Sequence, residues 1–149
     1  MSILTTDNTT SSITPSRYRI AVFGFFFCQG LVFASWASRI PLIMEELGLS
    51  EGQLGTLLLM MPIGQLLTMA LSGKLVTRFG SAKIISIVSL LYALVLVSIS
   101  FASHIYMLAG ILLLFGVLGN MGSIAVNTQA VAVEKLYTKS IMTSFHGGW

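Results

Sequence analysis

The sequence predicts an all-α integral membrane bundle: four transmembrane helices with the start of a fifth. Three observations carry that prediction. Of the 149 residues 55% are hydrophobic and only 9% charged, with a mean hydropathy of +0.90, which is more apolar surface than a soluble core of this length buries. Four continuous apolar runs each reach the roughly 20 residues needed to cross about 30 Å of hydrocarbon. The connections between them are short and polar, and the runs do not alternate as barrel strands would.

Met1 to Ser16 is rich in Ser and Thr with one acid, Asp7, and reads as a disordered cytosolic tail. The rest, residues 17–149, reads as a partial transmembrane unit. Its first span covers about Ile20 to Ile40. Arg17 and Arg19 before it and Ser35-Trp36-Ala37 within it also fit a cleaved signal peptide, but the run is long for a signal core, and Gly24, Gln29 and Gly30 suit a packed helix better. PLIMEELGLSEG, Pro41 to Gly52, carries three carboxylates and connects to a second span over about Gln53 to Val76. Pro62 should bend that second span. A basic connection, Thr77 to Lys83, precedes the third span, about Ile84 to Ala102; Ser103-His104 is a bare turn; the fourth span runs from Ile105 to about Val133. EKLYTKS, Glu134 to Ser140, is polar, and Ile141 to Trp149 opens a fifth span.

Charge orients the array. Arg17, Arg19, Lys74, Arg78, Lys83, Lys135 and Lys139 fall at one end, and only Arg39 joins Glu45, Glu46 and Glu51 at the other. Basic residues of short loops stay on the cytoplasmic side, so the N-terminus is expected inside a bacterial inner (plasma) membrane that the chain crosses several times. The net charge of +3 is then a topology signal and does not point to nucleic acid. Cys28 is the single cysteine, which rules out an internal disulfide. His104 and His146 have no partners at ligand spacing. With no nucleophile elbow, phosphate loop or CxxC pair, no catalytic residue, metal or cofactor is expected, and the chain does not read as an enzyme.

Polar residues inside the spans carry the remaining information, because they are costly in hydrocarbon unless they face the bundle or a water-filled cavity. Asn120, Asn127 and Glu134 are spaced by seven and so share one helix stripe, with Ser123 beside it. Gln29 and Trp36 have the same spacing on the first span, with Phe33 between them. Amides that donate and accept hydrogen bonds, beside an aromatic face, suit a polar organic solute. Hydrogen bonding between helices accounts for Asn120 and Asn127 equally well. Gly116, Gly119 and Gly122 recur at three-residue steps, which suits close helix packing.

GKLVTRFGSAK, Gly73 to Lys83, resembles the signature loop between the second and third helices of the major facilitator superfamily. Gly73, Leu75, Arg78, Gly80 and Lys83 fit it, whereas Thr77 stands where the family usually has Asp and Ser81-Ala82 where basic residues are common. WASRIP at Trp36 to Pro41, LGLSEGQLG at Leu47 to Gly55 and NTQAVAVEKLYTKSIMTSFHGGW at Asn127 to Trp149 extend the resemblance over nearly everything after Ser16. The nearest subgroup is that of bacterial permeases similar to fucose and sugar permeases.

The resemblance implies the first four helices of a major-facilitator-type bundle. The transporter alternates access by rocking two six-helix halves, with helices one and four lining the cavity. Gly73, Arg78, Gly80 and Lys83 would belong to the loop that latches the halves. No Arg lies in the middle of span four, as it does in drug antiporters, so a sugar or small metabolite is the expected solute and Gln29, Trp36, Asn120 and Asn127 the residues that contact it. Family members have about twelve spans, so the chain is expected to be a truncated frame or a fragment, partnered by the bilayer and by the missing C-terminal half. A self-contained four-helix subunit, a small oligomeric channel and an inert truncated product are the alternatives.

Overall fold

A computed structural model describes residues 14–149; the tail expected over Met1 to Ser16 lies outside the described residues except for its last three. Of those, Pro15 and Ser16 already belong to α1, Pro15–Glu46. Proline suits the first helical position, where its missing N–H would be unpaired anyway. The helix runs on past Ile40, through Pro41, to Glu46, so half of the expected connection is helical. Pro41 leaves one carbonyl free, the proline cost, but does not end the helix.

Gly48 ends α1. At φ 60° it takes the left-handed conformation, its N–H bonds the Glu45 carbonyl at 3.2 Å, and the Leu49 N–H bonds that of Met44 at 2.9 Å. This is a Schellman stop, with Leu49 buried beneath it. Ser50 then starts α2, Glu51–Leu58, through a capping box: the Ser50 N–H bonds Gln53 Oε1 at 2.9 Å and the Gln53 N–H bonds Ser50 Oγ at 3.3 Å.

The second apolar run is helical with one interruption, at Leu59, which keeps helical φ −67° and ψ −20°. α2 stops at Leu58 and α3, Met60–Phe79, follows. Pro62 explains the position of the break, since its ring clashes with the carbonyl four residues back, that of Leu58. Gly80, at φ 85° and ψ 138°, separates α3 from α4, Ser81–Ile99. His104 caps α5, Ile105–Glu134, by accepting the Met107 N–H on Nδ1 at 3.2 Å. A polar turn leads to the five-residue α6, Met142–His146.

Four stretches are long and apolar enough to cross a membrane: Pro15–Glu46, Glu51–Phe79, Ser81–Ile99 and Ile105–Glu134. Helix satisfies every backbone group within its own segment, which hydrocarbon demands. α5 is the central post, packed on α3, α4 and α1. Its buried face divides into two cores. One gathers Trp36, Leu57, Met61, Tyr92, Leu112 and Phe115. The other gathers Val22, Phe26, Val76, Ile85, Val126 and Phe145. Ile20, Leu66, Leu67 and Phe101 are at least 70% exposed, an apolar exterior suited to lipid and not to water.

Contacts tie the two ends. At the basic end Arg19 donates to Ser144 Oγ at 3.3 Å and its guanidinium lies 5.9 Å from the Tyr137 ring centroid. At the acidic end Arg39 donates to Ser100 Oγ at 2.5 Å, joining α1 to the end of α4.

A polar cavity between α1 and α5

Between the two cores the helices leave a cavity of about 460 Å³. α1 contributes Phe26, Gln29 and Phe33, which lie one turn apart on one face. α5 contributes Gly119, Asn120, Ser123, Val126 and Asn127; Gln65, Tyr92, His146 and Trp149 come from the other elements. Among the described residues the lining contains no Asp, Glu, Lys or Arg.

Three of the four residues expected to contact a solute meet here, and each is held differently. Gln29 is 7% exposed and its amide abuts the bare α-carbon of Gly122. Asn120 donates to Ser72 Oγ at 3.2 Å and to Thr68 Oγ1 at 3.4 Å. Those hydroxyls spend their own protons on carbonyls one turn back, Ser72 on Thr68 at 2.7 Å and Thr68 on Gly64 at 2.8 Å, so their lone pairs are free to accept. Asn120 thus both lines the cavity and ties α5 to α3. Asn127 donates to the Ser123 carbonyl at 2.8 Å. Gln129, two residues on, points instead to α4, donating to Ser81 Oγ at 2.6 Å.

Trp36 stands outside the cavity. It is 2% exposed, in the core with Phe115, ring centroids 6.4 Å apart. The seven-residue spacing puts it on the Gln29 stripe, but two turns further along, where Phe115 fills the space between α1 and α5. Phe33 and Trp149 supply the aromatic wall, centroids 5.8 Å apart. The sequence reading missed Phe26, Gln65, Tyr92, His146 and Trp149 as lining residues. Phe26, one turn before Gln29, was available from the helical period; Tyr92, the one hydroxyl-bearing aromatic of its span, was visible as a polar group in an apolar run.

The expected signature loop is mostly helix. Gly73 and Arg78 belong to α3, Lys83 to α4, and Gly80 alone breaks the run. Arg78 lies over the Phe79 ring, 5.3 Å from its centroid. Thr77, in the place of the family Asp, spends its hydroxyl on the Gly73 and Lys74 carbonyls at 3.1 and 3.0 Å.

Membrane-length helices packed around a polar cavity define a multi-pass all-α membrane protein. Residues 12–145 match the Major Facilitator Superfamily, and the chain belongs to that family. It is 30% identical over 137 residues to an uncharacterized transporter of Sinorhizobium fredii, a match covering 92% of this chain and 36% of the relative. It is 35% identical over 122 residues to an uncharacterized MFS-type transporter of Yersinia pestis, covering 82% of this chain and 32% of that protein. The membrane protein MosC of Rhizobium meliloti is likewise 35% identical over 122 residues, with 82% of this chain and 30% of MosC covered. The chain spans about a third of the length of these relatives. No solved structure matches it.

Proposed function

We propose that this chain forms the cavity-bearing N-terminal part of a secondary transporter that moves an uncharged polar solute, a sugar or small metabolite, across a bacterial inner membrane. The supporting observation is the cavity itself: amides of Gln29, Asn120 and Asn127 from two spans face one space whose lining, among the described residues, carries no Asp, Glu, Lys or Arg. A solute bearing a net charge would enter without a counter-ion and lose its hydration. Further spans, accounting for the greater length of the relatives, complete the cavity on its open side. Gly80, with Arg78 and Lys83 beside it, serves the junction against which the other half closes, and the basic end faces the cytoplasm.

Cysteine scanning along α5 tests the cavity. Cysteines at positions 120, 123 and 127 should react with a polar thiol reagent and be protected by solute. Those at 125 and 130, where the alanines are fully buried, should stay unreactive. Unreactive positions 120 and 127, together with unchanged solute affinity on alanine substitution there, would make both amides packing residues and end the reading. Orientation has a separate check. Reporters fused after Lys83 or Lys139 should be cytosolic and one inserted near Glu46 external; an external Lys83 fusion would invert the assignment.

A further inference from the structure

Two polar side chains from different helices converge on the glycine face of α5 without partners there. Gly119 and Gly122 lie nearly one turn apart. A methyl group on Gly119 would sit 3.5 Å from the Tyr92 hydroxyl, and one on Gly122 would collide with Gln29 Nε2. Gln29 of α1 and Tyr92 of α4 therefore approach α5 side by side, at the edge of the cavity they both line. Tyr92 is 6% exposed and Gln29 7%. The Tyr92 ring is fixed by stacking on Phe115, centroids 4.3 Å apart and planes 29° from parallel.

Among the described residues neither the Gln29 amide nor the Tyr92 hydroxyl has a hydrogen-bond partner. Neither is sealed away, either: Ser89 Oγ is the one fully enclosed, unpaired side-chain polar atom among them. Leaving such a group unpaired costs about 1–3 kcal/mol, and hydrocarbon offers no replacement partner. Both line the polar cavity, where a hydrogen-bonding partner can reach them.

We infer that Gln29 and Tyr92 form a two-point hydrogen-bonding subsite for neighbouring hydroxyl groups of an uncharged solute, its shape kept by Gly119 and Gly122. A carboxamide and a phenol each donate and accept without charge, the pattern that adjacent alcohols present in return. Among the described residues the cavity lining offers a carboxylate no Lys or Arg and an ammonium no Asp or Glu. Phe33 and Trp149, on the same cavity, offer the apolar surface that a polyhydroxylated ring shows on its other face. The subsite rests on the transporter reading above, and adds to it a residue of α4 and a requirement for paired hydroxyls.

The test is equilibrium binding of D-glucose and myo-inositol, with their monodeoxy analogues, to a transporter carrying this chain, in lipid nanodiscs. Tyr92→Phe keeps the stacked ring and removes only the hydroxyl. It should weaken polyol binding about tenfold, the equivalent of one hydrogen bond, while one monodeoxy analogue binds wild type and variant equally. Gln29→Leu should show the same selectivity for a neighbouring hydroxyl, and Gly122→Ala should reproduce Gln29→Leu by displacing the amide. Polyol binding that ignores both Tyr92→Phe and Gln29→Leu would mean that water satisfies these groups, and would overturn the subsite while leaving the cavity reading intact. A loss equal for polyols and all deoxy analogues would overturn it too. No binding of either polyol to the wild-type transporter would instead bring down the uncharged-solute reading itself, and the subsite with it.

Discussion

Gly116→Ala is expected to destabilise the bundle by about 1–3 kcal/mol, the usual cost of forcing a methyl group into a packed site, and Gly116→Leu to abolish the packed state. A Cβ at Gly116 would overlap the Met61 carbonyl, and the reciprocal Cβ at Gly64 would overlap that of Leu113. The backbones of α3 and α5 touch here, in the most extensive helix pair of the fold. Lipid gives no hydrophobic drive for two helices to associate, so close van der Waals packing decides. The neighbouring atoms are carbonyls, which cannot swing aside as a long side chain would. Gly110, on the same helix, has open space around its α-carbon, so Gly110→Ala should be neutral or stabilising by up to about 1 kcal/mol through helix propensity. Unfolding in mixed micelles, followed by circular dichroism and protease resistance, separates the two; equal stability of Gly116→Ala and Gly110→Ala would show that the crossing does not hold the bundle together.

The spans were legible because hydrocarbon leaves a chain one economical structure, and a continuous apolar run announces it. Their ends were less so, because proline was read as a stop where glycine is the stop. α1 passes Pro41 and ends at Gly48, whose left-handed backbone closes the Schellman turn. The local signals were nevertheless in the text: Gly48, then Ser50 with Gln53 three residues on, spell a C-cap followed by a capping box. Likewise the basic connection was expected over Thr77 to Lys83, although the helix runs on through Phe79 to the edge of Gly80.

The cavity was half legible. Seven-residue spacing aligned Asn120 with Asn127, and both face the opening, while Gln129 bonds to α4. The same arithmetic placed Trp36 with Gln29, and failed for a reason no periodicity contains. Spacing along one helix gives the direction of a side chain, but the depth of a cavity depends on what the facing helix presents at that level. At the level of Gln29, α5 presents Gly122, and room remains; at the level of Trp36 it presents Phe115. Tyr92 and Trp149 enter only once α4 and the chain after α5 are folded against α1.

Gly80→Val is expected to cut solute uptake by a transporter carrying this chain about 5- to 150-fold without preventing membrane insertion. Gly80 holds φ 85° and ψ 138° between two helices separated by that single residue. A β-branched residue resists positive φ, and keeping it there stores on the order of 1–3 kcal/mol, which corresponds to that range at 1.4 kcal/mol per factor of ten. Relieving the strain would re-aim α3 against α4 and carry Arg78 and Lys83 out of place together. Gly73, the other glycine of the motif, lies inside α3 with nothing near its α-carbon, so Gly73→Val should cost only its helix propensity within this part of the protein. Arg78→Ala removes an exposed stacking contact with Phe79 worth about 0.5–1 kcal/mol and should fall between the two. Uptake assays in vesicles, normalised to inserted protein, rank the three variants. Gly80→Val transporting as well as Gly73→Val would show that the positive-φ junction is not needed for the cycle, and that what this motif contributes lies in its charges alone.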